Sequence, residues 1–171
     1  MKGFNVNKSS AVLVAALGIA LAGCAGSVSA PEAVQALSAD QKGALRVSTI
    51  SADAAGGVEM GDNDFDAVCQ KVRGYIQKDS PAVLADSGYR MKIHFTRFDR
   101  GSAFARAMLI GLGQIRIEAT VDLEDSSGAR AAEYKVAKDF ALGGIAGATT
   151  TVDDVEDGFA KSVAEIVKTK A

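Results

Sequence analysis

The chain has 171 residues, enough for one domain and short for two. Apolar residues make up 48% and charged residues 23%, both ordinary for a globular protein. With a net charge of −2, no basic stripe, no Trp and only two Pro, the chain lacks the footprint of a nucleic-acid binder, and its core must rest on aliphatic residues and a few Phe.

The chain begins with Lys2 and Lys8, and then Ala11 to Leu21 runs without a polar side chain. A basic start and an apolar run of this length predict a secretory signal. The run is too short to span a bilayer, which takes about 20 apolar residues. Leu21, Ala22, Gly23 and Cys24 follow at once. These four residues resemble the bacterial lipobox. The resemblance implies cleavage before Cys24, with a diacylglycerol thioether and an N-acyl chain on that cysteine. No other cofactor is expected. Three acyl chains exceed the two signals that stable anchoring needs. Ala25 stands where lipoproteins kept in the inner membrane usually carry Asp. The resemblance therefore implies the inner leaflet of the outer membrane, facing the periplasm. Cleavage would remove two of the 19 basic residues and none of the 21 acidic ones, so 17 against 21 leaves a net charge of −4.

Three segments are expected: a signal peptide over 1–23, a lipidated cysteine with a flexible tether over 24–42, and one periplasmic α+β domain over 43–171. Residues 25–42 are small and polar and would reach roughly 60 Å when extended. Pro31-Glu32 could open a short helix. Residues 44–50 are β-branched and predict a first strand, and residues 51–61 a loop. Phe65, Val68, Cys69, Val72 and Ile76 recur at steps of three and four, which predicts a helix capped by Asn63 or Asp64 with Cys69 in the core. Once Cys24 is lipidated, Cys69 has no partner within the chain. Ser80-Pro81 predicts a second, short helical segment ended by Gly88.

Residues 89–98 alternate as a strand, with Tyr89, Met91, Ile93 and Phe95 on one face. Residues 114–123 alternate more strictly, with Ile115, Ile117, Ala119, Val121 and Leu123 inward, as an antiparallel strand with one wet face requires. After a turn at 124–128, residues 130–140 return as a strand with Tyr134, Val136 and Phe140 inward. Gly143, Gly144 and Gly147 mark a bend. A last helix runs from about Asp153 to Lys168, with acids in its first turn and a lysine in its last, as the helix dipole favours. The order is β-α-β-β-β-α. The expected fold is α+β: one mostly antiparallel sheet with two helices packed on one face.

The connection from Asp99 to Gly113 does not fit a plain solvated loop. It is long for a strand–strand link, and such links often carry function. Between Ala103 and Leu112 its only charge is Arg106. One reading makes it a lid that completes the core. The sharper reading makes Phe104, Arg106, Met108, Leu109, Ile110 and Leu112 an interface for the membrane, an envelope protein or a second copy.

The order of Phe98, Gly101, Arg106, Gly111, Gly113, Asp122, Gly128 and the Gly143-Gly144 bend before a final amphipathic helix resembles a family of small bacterial lipoproteins with a domain of unknown function. The resemblance spans about residues 44–171 and implies an envelope location. More distantly, the element order resembles α/β domains of periplasmic assembly lipoproteins, such as those serving curli secretion or peptidoglycan-synthase activation.

Sites for chemistry are sparse. His94, the only histidine, is expected to point outward with Lys92 and Thr96. Cys69 and His94 alone are too few for a zinc site. Asp62, Asp64 and Asp66 begin like a calcium loop, but Ala67 replaces the required Gly and Arg73 the bidentate Glu. Residues 143–151 lack the Gly-Lys-Ser/Thr end of a phosphate loop. The sequence therefore predicts a non-catalytic, lipid-anchored binding or assembly module. The first alternative is an oligomeric pore or secretion accessory with residues 102–112 at the membrane. A small envelope hydrolase around His94, Arg97 and Asp99 comes third.

Overall fold

A computed structural model describes residues 30–108, 113–140 and 149–168. The expected signal peptide and lipobox, residues 109–112 and the Gly143-Gly144 bend lie outside the described residues. Five strands, β1 (Glu32–Gln35), β2 (Val47–Ala54), β3 (Tyr89–Asp99), β4 (Ile115–Glu124) and β5 (Arg130–Phe140), form one sheet in the order β1-β5-β4-β3-β2. The β2–β3 pairing is parallel and the other three are antiparallel. Helix α1 (Ala39–Gly43) is a short surface turn. Helix α2 (Asp62–Asp79) provides the crossover between the parallel strands. After β3 comes α3 (Ala103–Met108), and the last element is α4 (Val152–Glu165). Helices α2 and α4 pack on each other and on one face of the sheet. The α+β class and the single helical layer are as the sequence predicts, and the element order is broadly so, with β1, α1 and α3 added to it.

Alternation builds the core. Ile115, Ile117, Ala119, Val121 and Leu123 are all buried, and so are Met91, Ile93 and Phe95. At Thr96-Arg97 a bulge inserts one residue into β3 and shifts the frame, so that Phe98 turns inward where unbroken alternation would bury Arg97. Phe95 is the keystone. Its ring lies 6.2 Å from that of Phe65 on α2 and 5.4 Å from that of Phe159 on α4, within the range where aromatic pairs attract. On β5 the inward frame is Ala132, Tyr134, Val136 and Lys138. The lysine fits because Gly158 faces it: a Cβ there would stand 3.0 Å from Lys138 Cε. Burial lowers the Lys138 pKa.

The caps are more specific than the sequence reading. Gly61, not Asn63 or Asp64, caps α2, and its amide donates to Asp64 Oδ2 at 3.0 Å. Thr151 caps α4 reciprocally. Asp154 N–H donates to Thr151 Oγ1, and Thr151 N–H donates to Asp154 Oδ2. Across the helix pair, Lys71 bonds Asp153 at 2.6 Å and the buried Glu156 at 3.1 Å. Burial alone would lower the lysine's pKa, and the two carboxylates outweigh it and raise it.

Three expectations need correcting. Pro31-Glu32 opens a strand and not a helix: β1 pairs with β5, so the sheet begins inside the segment read as tether. The first long strand runs 47–54 and not 44–50, because β3 supplies a parallel edge for residues of poor strand propensity. Cys69 is half-buried at the margin of the α2 stripe, which centres on Val68, Val72 and Ile76.

Candidate docking tip on the β3–β4 hairpin

Beyond Phe98 and Ile115 the β3–β4 hairpin narrows to a neck and then carries α3. Arg100 fixes the near side. Its guanidinium lies 4.9 Å from the centre of the Phe98 ring and bonds both oxygens of Asp64 on α2 at 3.0 and 3.1 Å. The Gly61 amide first, and Arg100 with it, hold the Asp64 pKa below its usual value against the opposing effect of burial. Gly101 adopts a φ of 64°, and Gly113 opposite it a φ of 68°. A Cβ on Gly101 would fall 2.3 Å from the carbonyl oxygen of Gly113. The strands of the neck therefore touch backbone to backbone, and Ser102 N–H donates to Gly113 O at 3.1 Å. Ser102 Oγ then accepts from Ala105 N–H and starts α3.

Helix α3 shares no extensive interface with any other described element. Phe104 is 77% exposed and Met108 67% exposed. They stand four residues apart, on one side of the helix. Val34 is the third large apolar side chain that is exposed among the described residues, so two of the three sit on this six-residue helix. Of the other predicted interface residues, Arg106 lies within α3, and Leu109, Ile110 and Leu112 lie outside the described residues. At the foot of the tip an open depression of about 610 Å³ is lined by Glu59, Asp99, Arg100, Gln114 and Arg116, among others. Arg116 bonds Gln114 and faces Asp139.

The other face of the sheet is open and laced with ion pairs. His94 Nδ1 lies 2.5 Å from Asp53 Oδ1, Lys92 pairs with Glu124 at 2.8 Å, and Arg97 pairs with Asp99 at 2.6 Å. The three residues of the hydrolase reading thus belong to two separate pairs, all exposed or partly so. Cys69 lies on a helix that packs on the opposite face of the sheet from His94. Burial, with Asp66, raises the thiol's pKa against the effect of Arg73, which disfavours the reactive thiolate. No group of three His, Cys, Asp or Glu could hold a metal ion among the described residues.

Sequence reasoning found the tip by its odd composition. It missed the neck, where the Arg100–Asp64 clasp and Ser102 sit. Only the spacing of Gly101 and Gly113 hinted at a close backbone approach.

A profile for a domain of unknown function, DUF4410, matches residues 70–144, from the middle of α2 past the end of β5. No curated protein matches the sequence. Among solved structures, the PelC dodecamer from Paraburkholderia phytofirmans is similar with a TM-score of 0.53 and 11% identity, over 72% of this chain and 89% of that one. A single-substitution variant of the same dodecamer gives 0.51 and 13%, over 74% and 88%. A chain described as a candidate lipoprotein from Caulobacter crescentus CB15 gives 0.39 and 18%, over 70% and 84%. What this chain shares with PelC is the fold, and the segment matched by the domain of unknown function contains the whole tip-bearing hairpin.

Proposed function

We propose that the chain is a lipid-anchored, non-catalytic module of the bacterial cell envelope, held at the outer membrane and facing the periplasm, that docks through the α3 tip. The observation that carries this reading is the exposure of Phe104 and Met108 on a projection set by a tight neck. Apolar side chains held out together on a built support mark a contact site. The Leu21-Ala22-Gly23-Cys24 sequence supports the anchor. No helix of the described residues is long and apolar enough to cross a membrane. The dodecameric state of the PelC structures makes a second copy of this chain the first protein partner to test.

The test is photocrosslinking in cells from a reactive group placed at position 104, with the anchor intact. Capture of lipid, of a second copy or of one discrete protein is expected. A residue 104 that captures nothing and reacts freely with a water-soluble label defeats the docking reading. His94→Ala should leave any phenotype of the gene unchanged, and its loss with normal folding would favour catalysis.

A further inference from the structure

We infer that the surface covering the tip is the bilayer that holds the anchor, so that Phe104 and Met108 insert beside the lipidated cysteine; this rests on the docking reading above. The argument comes from the direction of β1. It runs antiparallel to β5, with Glu32 opposite Lys135 and Gln35 opposite Glu133. Its upstream end therefore faces the end of the sheet where β5 finishes at Phe140. That is also the end where β3 and β4 meet the neck, because Ile115 pairs with Phe140 and Asp99 with Arg116. Ala30 already borders the same hollow as Thr96, Glu118 and Ala137. From that level the Phe140 row is three strand positions away, about 10 Å. Five residues separate Ala30 from Cys24, and the six steps between them reach at most about 20 Å. That reach exceeds the distance to the Phe140 row, so an anchor on Cys24 at the level of the neck is within the length of the chain. The turn at Asp125–Gly128 lies at the far end of β4, about 30 Å from the neck.

A bilayer that takes up the acyl chains then lies at the end of the domain that carries the tip. The chemistry suits it. Phe and Met enter the boundary between headgroups and acyl chains readily. Arg100 and Arg116 stand at the foot of the tip, at the depth of the phosphates, though Glu59 and Asp99 line the same depression. The acyl chains alone would leave the domain on a leash. The tip gives it an orientation, with its strands standing up from the membrane and the charged face of the sheet turned along it.

The chain contains no Trp, so one indole reports its own surroundings. The experiment uses the full, lipidated chain carrying Phe104→Trp, reconstituted into vesicles of phosphatidylethanolamine and phosphatidylglycerol with brominated acyl chains. Met108→Trp is the second tip position, and Ser126→Trp marks the far turn. The indoles at 104 and 108 should emit at shorter wavelength and be quenched by bromine several-fold more than the one at 126. Equal quenching at 104 and 126 overturns the orientation. Indoles at 104 and 108 that are shielded from both bromine and aqueous acrylamide are covered by protein, which sinks the membrane inference and spares docking. Free access of acrylamide to both tip positions sinks the two together.

Discussion

Replacing Gly101 with Ala tests whether the neck is held by backbone contact. Two costs add. A left-handed φ of 64° costs a side-chain-bearing residue about 1–2 kcal/mol. The new Cβ would also sit 2.3 Å from Gly113 O and 2.5 Å from Gln114 O, so the strands must part and the Ser102–Gly113 hydrogen bond is lost, about 0.5–1.5 kcal/mol. The sum is about 1.5–3.5 kcal/mol. Gly57→Ala supplies the control. Gly57 has a φ of 91° and open space around its Cβ position, so it bears only the first cost. Urea melts of the two variants should therefore differ by about 1 kcal/mol, with Gly101→Ala the weaker. Amide exchange at Ser102 should accelerate about tenfold in Gly101→Ala and stay unchanged in Gly57→Ala, since 1.4 kcal/mol is a factor of ten. Equal melts, with Ser102 exchange untouched in both, would refute the argument that this approach shapes the neck.

Three further outcomes follow from the packing. Phe95→Ala removes the ring between Phe65 and Phe159 and should cost about 3–5 kcal/mol in a urea melt, with a non-additive response when combined with Phe159→Leu. Lys71→Met leaves Glu156 buried without its cation and should cost about 1–3 kcal/mol, while adding Glu156→Met should restore much of it; equal losses in the single and double variants would count against the pair. The folded pKa values of Asp64 and Asp154 lie below the ordinary aspartate value of about 3.8, so the stability they contribute is fully present above 3.8 and is lost as the pH falls below it through their lowered values. Asp64→Asn with Asp154→Asn should flatten that acid limb of a thermal-melt series, and an unchanged limb would mean that other carboxylates set it.

The sequence was most legible where one physical rule acted alone. β4 has one buried face and one wet face, so its alternation could be read residue by residue. β3 obeys the same rule only up to Phe95, because a bulge adds a residue without leaving a mark in composition. β1 and the second half of β2 are poor strand formers that owe their pairing to β5 and β3, and local propensity cannot see a neighbour distant in sequence. Lys138 shows the converse: alternation places it inward, its charge argues outward, and Gly158 on a separate helix resolves the conflict. The tip was visible as an apolar segment where a solvated loop belongs. Whether it would fold back or stand out depended on Gly101 and Gly113 meeting across the hairpin, which is a tertiary fact.

The placement of β1 has a mechanical consequence. A pull on the segment before Ala30 acts along the strand axis, so it loads the bonds to β5 in shear. The paired positions are few, and β1 lies at an edge with no strand outside it. Under load its bonds to β5 would part first, while Leu37, buried in the core, still holds. Because Glu32–Gln35 already runs extended along the line of pull, its release adds little length to the connection. The first strand is thus a strut that keeps the domain at a set distance from whatever holds its upstream end.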